Sequence, residues 1–140
     1  MLKFYYGLWV DTITKIQSIP KNKGMWEFYS ISFISMAMAL NLWFVTFLLM
    51  LHLNIVIPFL PLRLDIFPGN KLDAFLGFFI SYLFPMLLIN YLLIFKNRKY
   101  LELVKSYKPQ NGKLFLKYFI GSLLLIILYF IIGYIVVKLL

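Results

Sequence analysis

The stretch FYSISFISMAMALNLWFVTFLLML, residues 28–51, decides the fold, because it holds 24 residues and no charged side chain. A helix of about 20 apolar residues is long enough to cross the hydrocarbon core of a bilayer. Residues 74–95 and residues 118–137 have the same uncharged, apolar character. The sequence therefore predicts an all-α integral membrane protein with three transmembrane helices, forming a single membrane domain over residues 1–140.

The composition of the whole chain points to the same class. Hydrophobic residues make up 63% of the 140 residues and charged residues only 14%, whereas soluble domains average about 45–50% and about 25%. A small domain buries the smallest fraction of its surface, so a soluble fold of this size could not hide so much apolar area. These numbers exclude an ordinary soluble enzyme and a disordered tail, and the lack of cysteine excludes a disulfide scaffold.

The segment before the first span, residues 1–23, is too short and too polar to cross a bilayer. One helical face of this segment is apolar and aromatic and consists of Leu2, Tyr6, Trp9, Ile13 and Ile16. Because Trp and Tyr favour the headgroup layer, the pattern predicts an amphipathic helix lying in the membrane interface. A helix packed on the rest of the chain fits the same pattern. Asp11 and Lys15 are expected off this face as an i,i+4 ion pair. We expect no cleavable signal peptide, because residues 4–10 are too few for its apolar region.

Two loops separate the three predicted spans. In the first loop, residues 52–73, Pro58 and Pro61 are expected to end the first helix, and a turn is expected at 68–70. Whether residues 53–67 are interfacial or re-entrant stays open at this point. In the second loop, residues 96–117, a helical face of Tyr100, Val104 and Tyr107 predicts a short basic amphipathic helix.

Charge predicts how the chain is oriented. The formal net charge is +9, and eleven of the fourteen Lys and Arg residues lie in 1–25 and 96–117. Because Lys and Arg accumulate on the cytoplasmic side of membrane proteins, we expect a cytoplasmic N-terminus, an external loop at 52–73 and an external or periplasmic C-terminus. Richness in Phe, Ile, Lys, Tyr and Asn is typical of an AT-rich genome, so a bacterial inner membrane is the expected location.

Two sets of residues are candidate sites. Small or hydroxyl-bearing residues share faces of the predicted spans and are expected to pack helices closely; they are Ser32, Ser35, Ala39, Thr46, Gly77, Ser81, Ser122 and Gly133. A second face of the first span carries Ser30, Ala37 and Asn41, which predicts a neighbour on each side. The second set is basic and is expected to dock anionic lipid headgroups or a protein partner, unless it serves only to fix orientation; it comprises Lys96, Arg98, Lys99, Lys105 and Lys108.

Chemistry-bearing motifs are scarce in this sequence. The uncharged cores hold no ionisable side chain, which disfavours ion-coupled transport, and His52 is expected to be a hydrated interface residue. We find no pattern of catalytic, cofactor-binding or metal-ligating residues and expect no nucleic-acid partner. The sequence favours a non-enzymatic accessory or scaffold subunit of a larger membrane complex, with a protein partner or self-association through the first span. The alternatives are a small oligomeric pore and an anionic-lipid-binding membrane protein.

Overall fold

Long helices account for most of the chain in the computed structural model, which describes residues 2–57, 60–62, 64–67 and 70–139. We number the helices in chain order: α1 is Leu2–Gln17, α2 is Trp26–Leu53, α3 covers 70–95, α4 is Lys99–Ser106 and α5 is Lys113–Leu139. No strand occurs among the described residues. The structure is all-helical, and α2, α3 and α5 are long and apolar enough to cross a membrane.

Helix α2 ends earlier than its hydrophobicity suggests. Asn54 adopts a left-handed conformation (φ 53°), and the backbone N–H of Ile55 returns to the carbonyl of Leu49 at 3.2 Å. A left-handed residue, usually Gly and here Asn, is a common way for a helix to end. The expectation that prolines end this helix is therefore wrong for Pro61, which lies eight residues beyond Leu53, while Pro58 lies outside the described residues.

Helix α3 is continuous but contains two wider turns. Pro85 cannot donate a backbone hydrogen bond, and just before it Phe79–Leu83 forms a π-type turn in which the N–H of Phe84 reaches the carbonyl of Phe79. A second π-type turn, Tyr91–Phe95, ends the helix. Such turns accommodate a missing hydrogen bond inside a helix, so α3 widens locally just before Pro85. The expected turn at Pro68 and Gly69 lies outside the described residues, and Asn70 already belongs to α3.

Helix α2 lies between the other two long helices and contacts both α3 and α5. Helix α1 packs against α2, α4 and α5, and six consecutive residues of α1, from Leu8 to Ile13, are buried. Its burial is therefore not confined to the apolar face expected from the sequence. The best-packed core lies at this end of the molecule, where Trp9, Val10, Ile13, Ile34 and Ile94 are fully buried. We call it the inner end, and the end near Leu53 and Asn70 the outer end.

Candidate functional site

Asp11 joins α1 to the start of α5. Its side chain is 1% exposed, and its two oxygens accept four backbone N–H groups, from Gln110 (2.6 Å), Gly112 (2.8 Å), Leu114 (2.8 Å) and Phe115 (3.2 Å). The first N–H groups of a helix have no partner within it and carry partial positive charge. A carboxylate supplied from 99 to 104 residues away in sequence therefore caps α5, which has no acidic residue in its own first turn.

The surroundings of Asp11 differ from the expected ion pair. The Nζ of Lys15 donates to Oδ1 of Asn111 at 3.1 Å, so Lys15 binds the same turn as Asp11 rather than serving as its partner. In that turn Asn111 and Gly112 have positive φ angles of 55° and 80°, and a Cβ on Gly112 would lie 2.8 Å from the Cγ of Lys15. Sequence analysis missed this junction, although the Pro109–Gly112 turn directly before an uncapped span was a usable signal.

A second polar junction connects three helices at the inner end. The hydroxyl of Tyr5 in α1 donates to Oδ1 of Asn90 in α3 at 2.8 Å, and Nδ2 of Asn90 donates to the hydroxyl of Ser35 in α2 at 2.9 Å. Asn90 is fully buried. Burial raises the pKa of Tyr5 above its usual value of 10.0, which keeps the hydroxyl protonated and able to donate.

Helices α2 and α5 are connected by two further junctions. Nδ2 of Asn41 donates to the hydroxyls of Tyr118 and Ser122, at 3.0 and 2.9 Å. Nearer the outer end, Nε2 of His52 lies 2.6 Å from the hydroxyl of Tyr129. The two junctions occur in the same order along α2 and along α5, so these two helices are parallel. His52 therefore contacts a tyrosine, whereas the sequence predicted only a hydrated residue.

At the outer end, the chain after α2 folds back between α2 and α3. The backbone N–H of Leu62 donates to the hydroxyl of Ser81 at 2.9 Å, and the carbonyl of Leu62 lies against Gly77, where any side chain would collide with it. Ser81 is eleven residues into α3, or about 16 Å along it at 1.5 Å per residue. The backbone at Leu62 therefore folds back along α3.

Asp73, in the first turn of α3, supports this returning segment. Its side chain is 6% exposed and accepts the backbone N–H groups of Ile66 and Phe67 at 3.2–3.4 Å. Backbone N–H groups outside regular helices need hydrogen-bond acceptors where water is excluded. Ser81 and Asp73 supply such bonds here.

A cavity of about 360 Å³ lies between the returning segment, α2 and α3. Its walls are mostly apolar and aromatic, with one carboxylate; the lining residues are Trp43, Pro61, Leu62, Leu64, Asp73, Ala74, Gly77, Phe78 and Tyr82. The hydroxyls of Tyr82 and Thr46 lie 2.9 Å apart beside this cavity and join α3 to α2.

The small residues singled out in the sequence fall into three groups. Ser35, Ala39 and Thr46 are buried on α2, as are Gly77 and Ser81 on α3. Ser122 is buried on α5 and is bonded to Asn41, a member of the second face of α2. Ser32 is half-buried, and Gly133 is exposed with nothing within 4 Å of its Cβ position.

The basic residues singled out in the sequence are all exposed, and the structure separates them. Lys96 and Lys99 line a surface depression of about 280 Å³ together with Leu92, Leu93, Asn97 and Glu102. Arg98 precedes α4 in a left-handed conformation. Lys105 lies in the last turn of α4, and Lys108 follows that helix, so neither lines this depression.

Within the described residues, no three His, Asp or Glu side chains are grouped as a metal ion would require. Comparison with protein-family models, with curated proteins and with solved structures finds no match for this chain. The proposals that follow therefore stand on the contacts described above.

Proposed function

We propose that this chain is a three-span membrane protein with a cytoplasmic N-terminus, and that it serves as a non-enzymatic accessory subunit of a larger membrane complex. The three long apolar helices support insertion. In the expected orientation, α1 and α4 lie at the cytoplasmic interface of a bacterial inner membrane. A reporter fused after Leu140 should be active only outside the cytoplasm, and activity confined to the cytoplasm would contradict the orientation.

The observation that supports the subunit proposal is the exposure of the last part of α5. Every residue from Ile131 to Lys138 is exposed, including Gly133 in the middle of a bulky apolar stretch. The last hydrogen bond from α5 to α2 is made by Tyr129, two residues before this stretch, and it joins His52, one position before the end of α2. A small residue on an otherwise free membrane helix allows another helix to approach closely. We assign the surface 131–138 to a partner helix.

The polar groups of the spans argue against the pore alternative. A pathway for ions needs hydroxyl and amide groups that face a lumen. Asn41, Thr46 and Asn90 instead bond to side chains of neighbouring helices in the same chain. Their hydrogen bonds stabilise one bundle.

Photo-crosslinking in native membranes tests the subunit proposal. A photoreactive residue at Ile132 in α5 should give a discrete adduct whose added mass is not a multiple of the chain's own 16.6 kDa. The control position is Ile89 on α3, which is 44% exposed, and it should give only lipid adducts. Adducts at multiples of 16.6 kDa would favour self-association and the pore alternative, and the absence of a discrete adduct at Ile132 would overturn the subunit proposal.

A further inference from the structure

The end of α3 and the start of α4 form a depression lined by two leucines, two lysines, Asn97 and Glu102. Leu92 and Leu93 belong to the last turns of the apolar helix and are 45% and 43% exposed. Lys96 and Lys99 follow them directly and line the same depression of about 280 Å³. A site with this order of groups matches a phospholipid, whose acyl chains lie beside its phosphate at the membrane surface.

The level of the depression in a membrane is indicated by Phe95 and Tyr100, which adjoin Lys96 and Lys99 in sequence. The ring of Trp26 lies 5.2 Å from that of Tyr100 and 6.2 Å from that of Phe95. Trp and Tyr concentrate at membrane–water interfaces. Helix α3 ends at this level, so the lysines that follow it are within reach of phosphate groups.

One of the two lysines is also held in place. The Nζ of Lys99 lies 5.4 Å from the centre of the Tyr6 ring of α1, which is a cation–π contact. Because α1 is fixed to α5 through Asp11, this contact positions Lys99 relative to the bundle. A positioned charge loses less side-chain entropy on binding than a free one.

We propose that this depression binds an anionic phospholipid, with the phosphate between Lys96 and Lys99 and the acyl chains along Leu92 and Leu93. The proposal narrows the five basic residues of the sequence pattern to two. Glu102 lines the same depression. Its carboxylate repels the phosphate, so the affinity for the lipid is lower than it would be without this charge. This inference does not depend on the subunit proposal, since it concerns lipid and a different face.

The test uses the full chain reconstituted in phosphatidylcholine bilayers containing one-fifth phosphatidylglycerol. Spin-labelled phosphatidylglycerol and spin-labelled phosphatidylcholine report which lipid is immobilised on the protein. A cation near the surface contributes about 1 kcal/mol toward an anionic lipid, which is about fivefold in affinity. We expect the double variant Lys96→Gln/Lys99→Gln to lower the preference for phosphatidylglycerol at least fivefold, about the effect of one such cation.

Three control variants separate a bound lipid from general charge attraction. Lys21→Gln/Lys23→Gln removes the same charge from two exposed lysines on the same side of the membrane and should change the preference less than twofold. Lys96→Arg/Lys99→Arg keeps both charges and should retain the preference. Glu102→Gln should raise the preference about two- to fivefold, on the scale of one charge.

The proposal is overturned if both Gln pairs lower the preference equally, because the attraction would then be diffuse. It is also overturned if the wild-type chain shows no preference for phosphatidylglycerol, or if Glu102→Gln leaves the preference unchanged or lowers it.

Discussion

The inner and outer ends of this bundle are built by different means. At the inner end, Trp9, Ile34 and Ile94 are fully buried, and a carboxylate binds the start of α5. At the outer end, α2 stops at Leu53, a non-helical segment fills the space beside it around a cavity, and α5 continues alone. The comparison indicates that the contacts that stabilise the bundle are concentrated at the inner end. The outer end instead leaves apolar side chains of α5 exposed. Four sets of variants test this division, in order of decreasing expected effect.

The largest effect is expected from Asp11→Ala. The substitution removes the acceptor of four backbone N–H groups, two in the turn before α5 and two in its first turn. A donor left unsatisfied away from water costs about 1–3 kcal/mol. We expect a loss of at least about 3 kcal/mol in unfolding free energy, since four donors are affected. Unfolding in mixed micelles followed by circular dichroism measures it.

Asp65→Ala is the matched control for Asp11, since it removes an exposed carboxylate from the outer segment. It should cost less than about 0.5 kcal/mol, as exposed substitutions usually do. Equal losses for the two variants would refute the special role of Asp11.

The next effect is expected from Gly77→Ala at the outer end. The new methyl group collides with the carbonyl of Leu62, so the returning segment must move, at a cost of about 1–3 kcal/mol. Proteolysis within 54–67 should accelerate, while the fluorescence of the inner tryptophans Trp9 and Trp26 stays unchanged. Gly121→Ala, where nothing lies within 4 Å, should leave cleavage at the wild-type rate.

A smaller effect is expected from the interhelix amides. Asn90→Leu removes the bonds to Tyr5 and Ser35, and Asn41→Leu removes those to Tyr118 and Ser122. Side-chain hydrogen bonds between membrane helices average about 0.6 kcal/mol, so each variant should lose about 1 kcal/mol. Because Asn90 joins three helices and Asn41 only two, the loss at Asn90 should be the greater. A greater loss at Asn41 would contradict the concentration of stability at the inner end.

The smallest effect on stability is expected from Gly133→Leu. Its side chain would enter open space, so the unfolding free energy should change by less than about 0.5 kcal/mol. The proposed partner adduct at Ile132 should nevertheless disappear, because the bulky side chain blocks close helix approach. An unchanged adduct would exclude Gly133 from the contact, and an unfolded variant would show that α5 is packed more tightly than its exposure indicates.

Several elements follow from local patterns that the sequence carries directly. The three apolar stretches predict three long helices, because helix length and uncharged composition are local properties. Tyr100, Val104 and Tyr107 likewise predict a helix in the second loop, and α4 is found at Lys99–Ser106. The end of α2 at Asn54 also depends on a local signal, the left-handed conformation that Asn tolerates. The sequence analysis placed this end at the prolines because the chain stays hydrophobic after Asn54.

The sequence by itself determined the helical class, the three apolar helices and the uneven distribution of charge, since each depends on neighbouring residues along the chain. Only the tertiary structure decided that Asp11 caps a helix about a hundred residues away and that Asn90 joins three helices. It also decided that the backbone at Leu62 returns to Gly77 and Ser81 of α3, and that two of five candidate cations share a depression with exposed leucines. The reason is physical: a buried polar group must find a hydrogen-bond partner, and a linear pattern shows the need without identifying the residue that meets it.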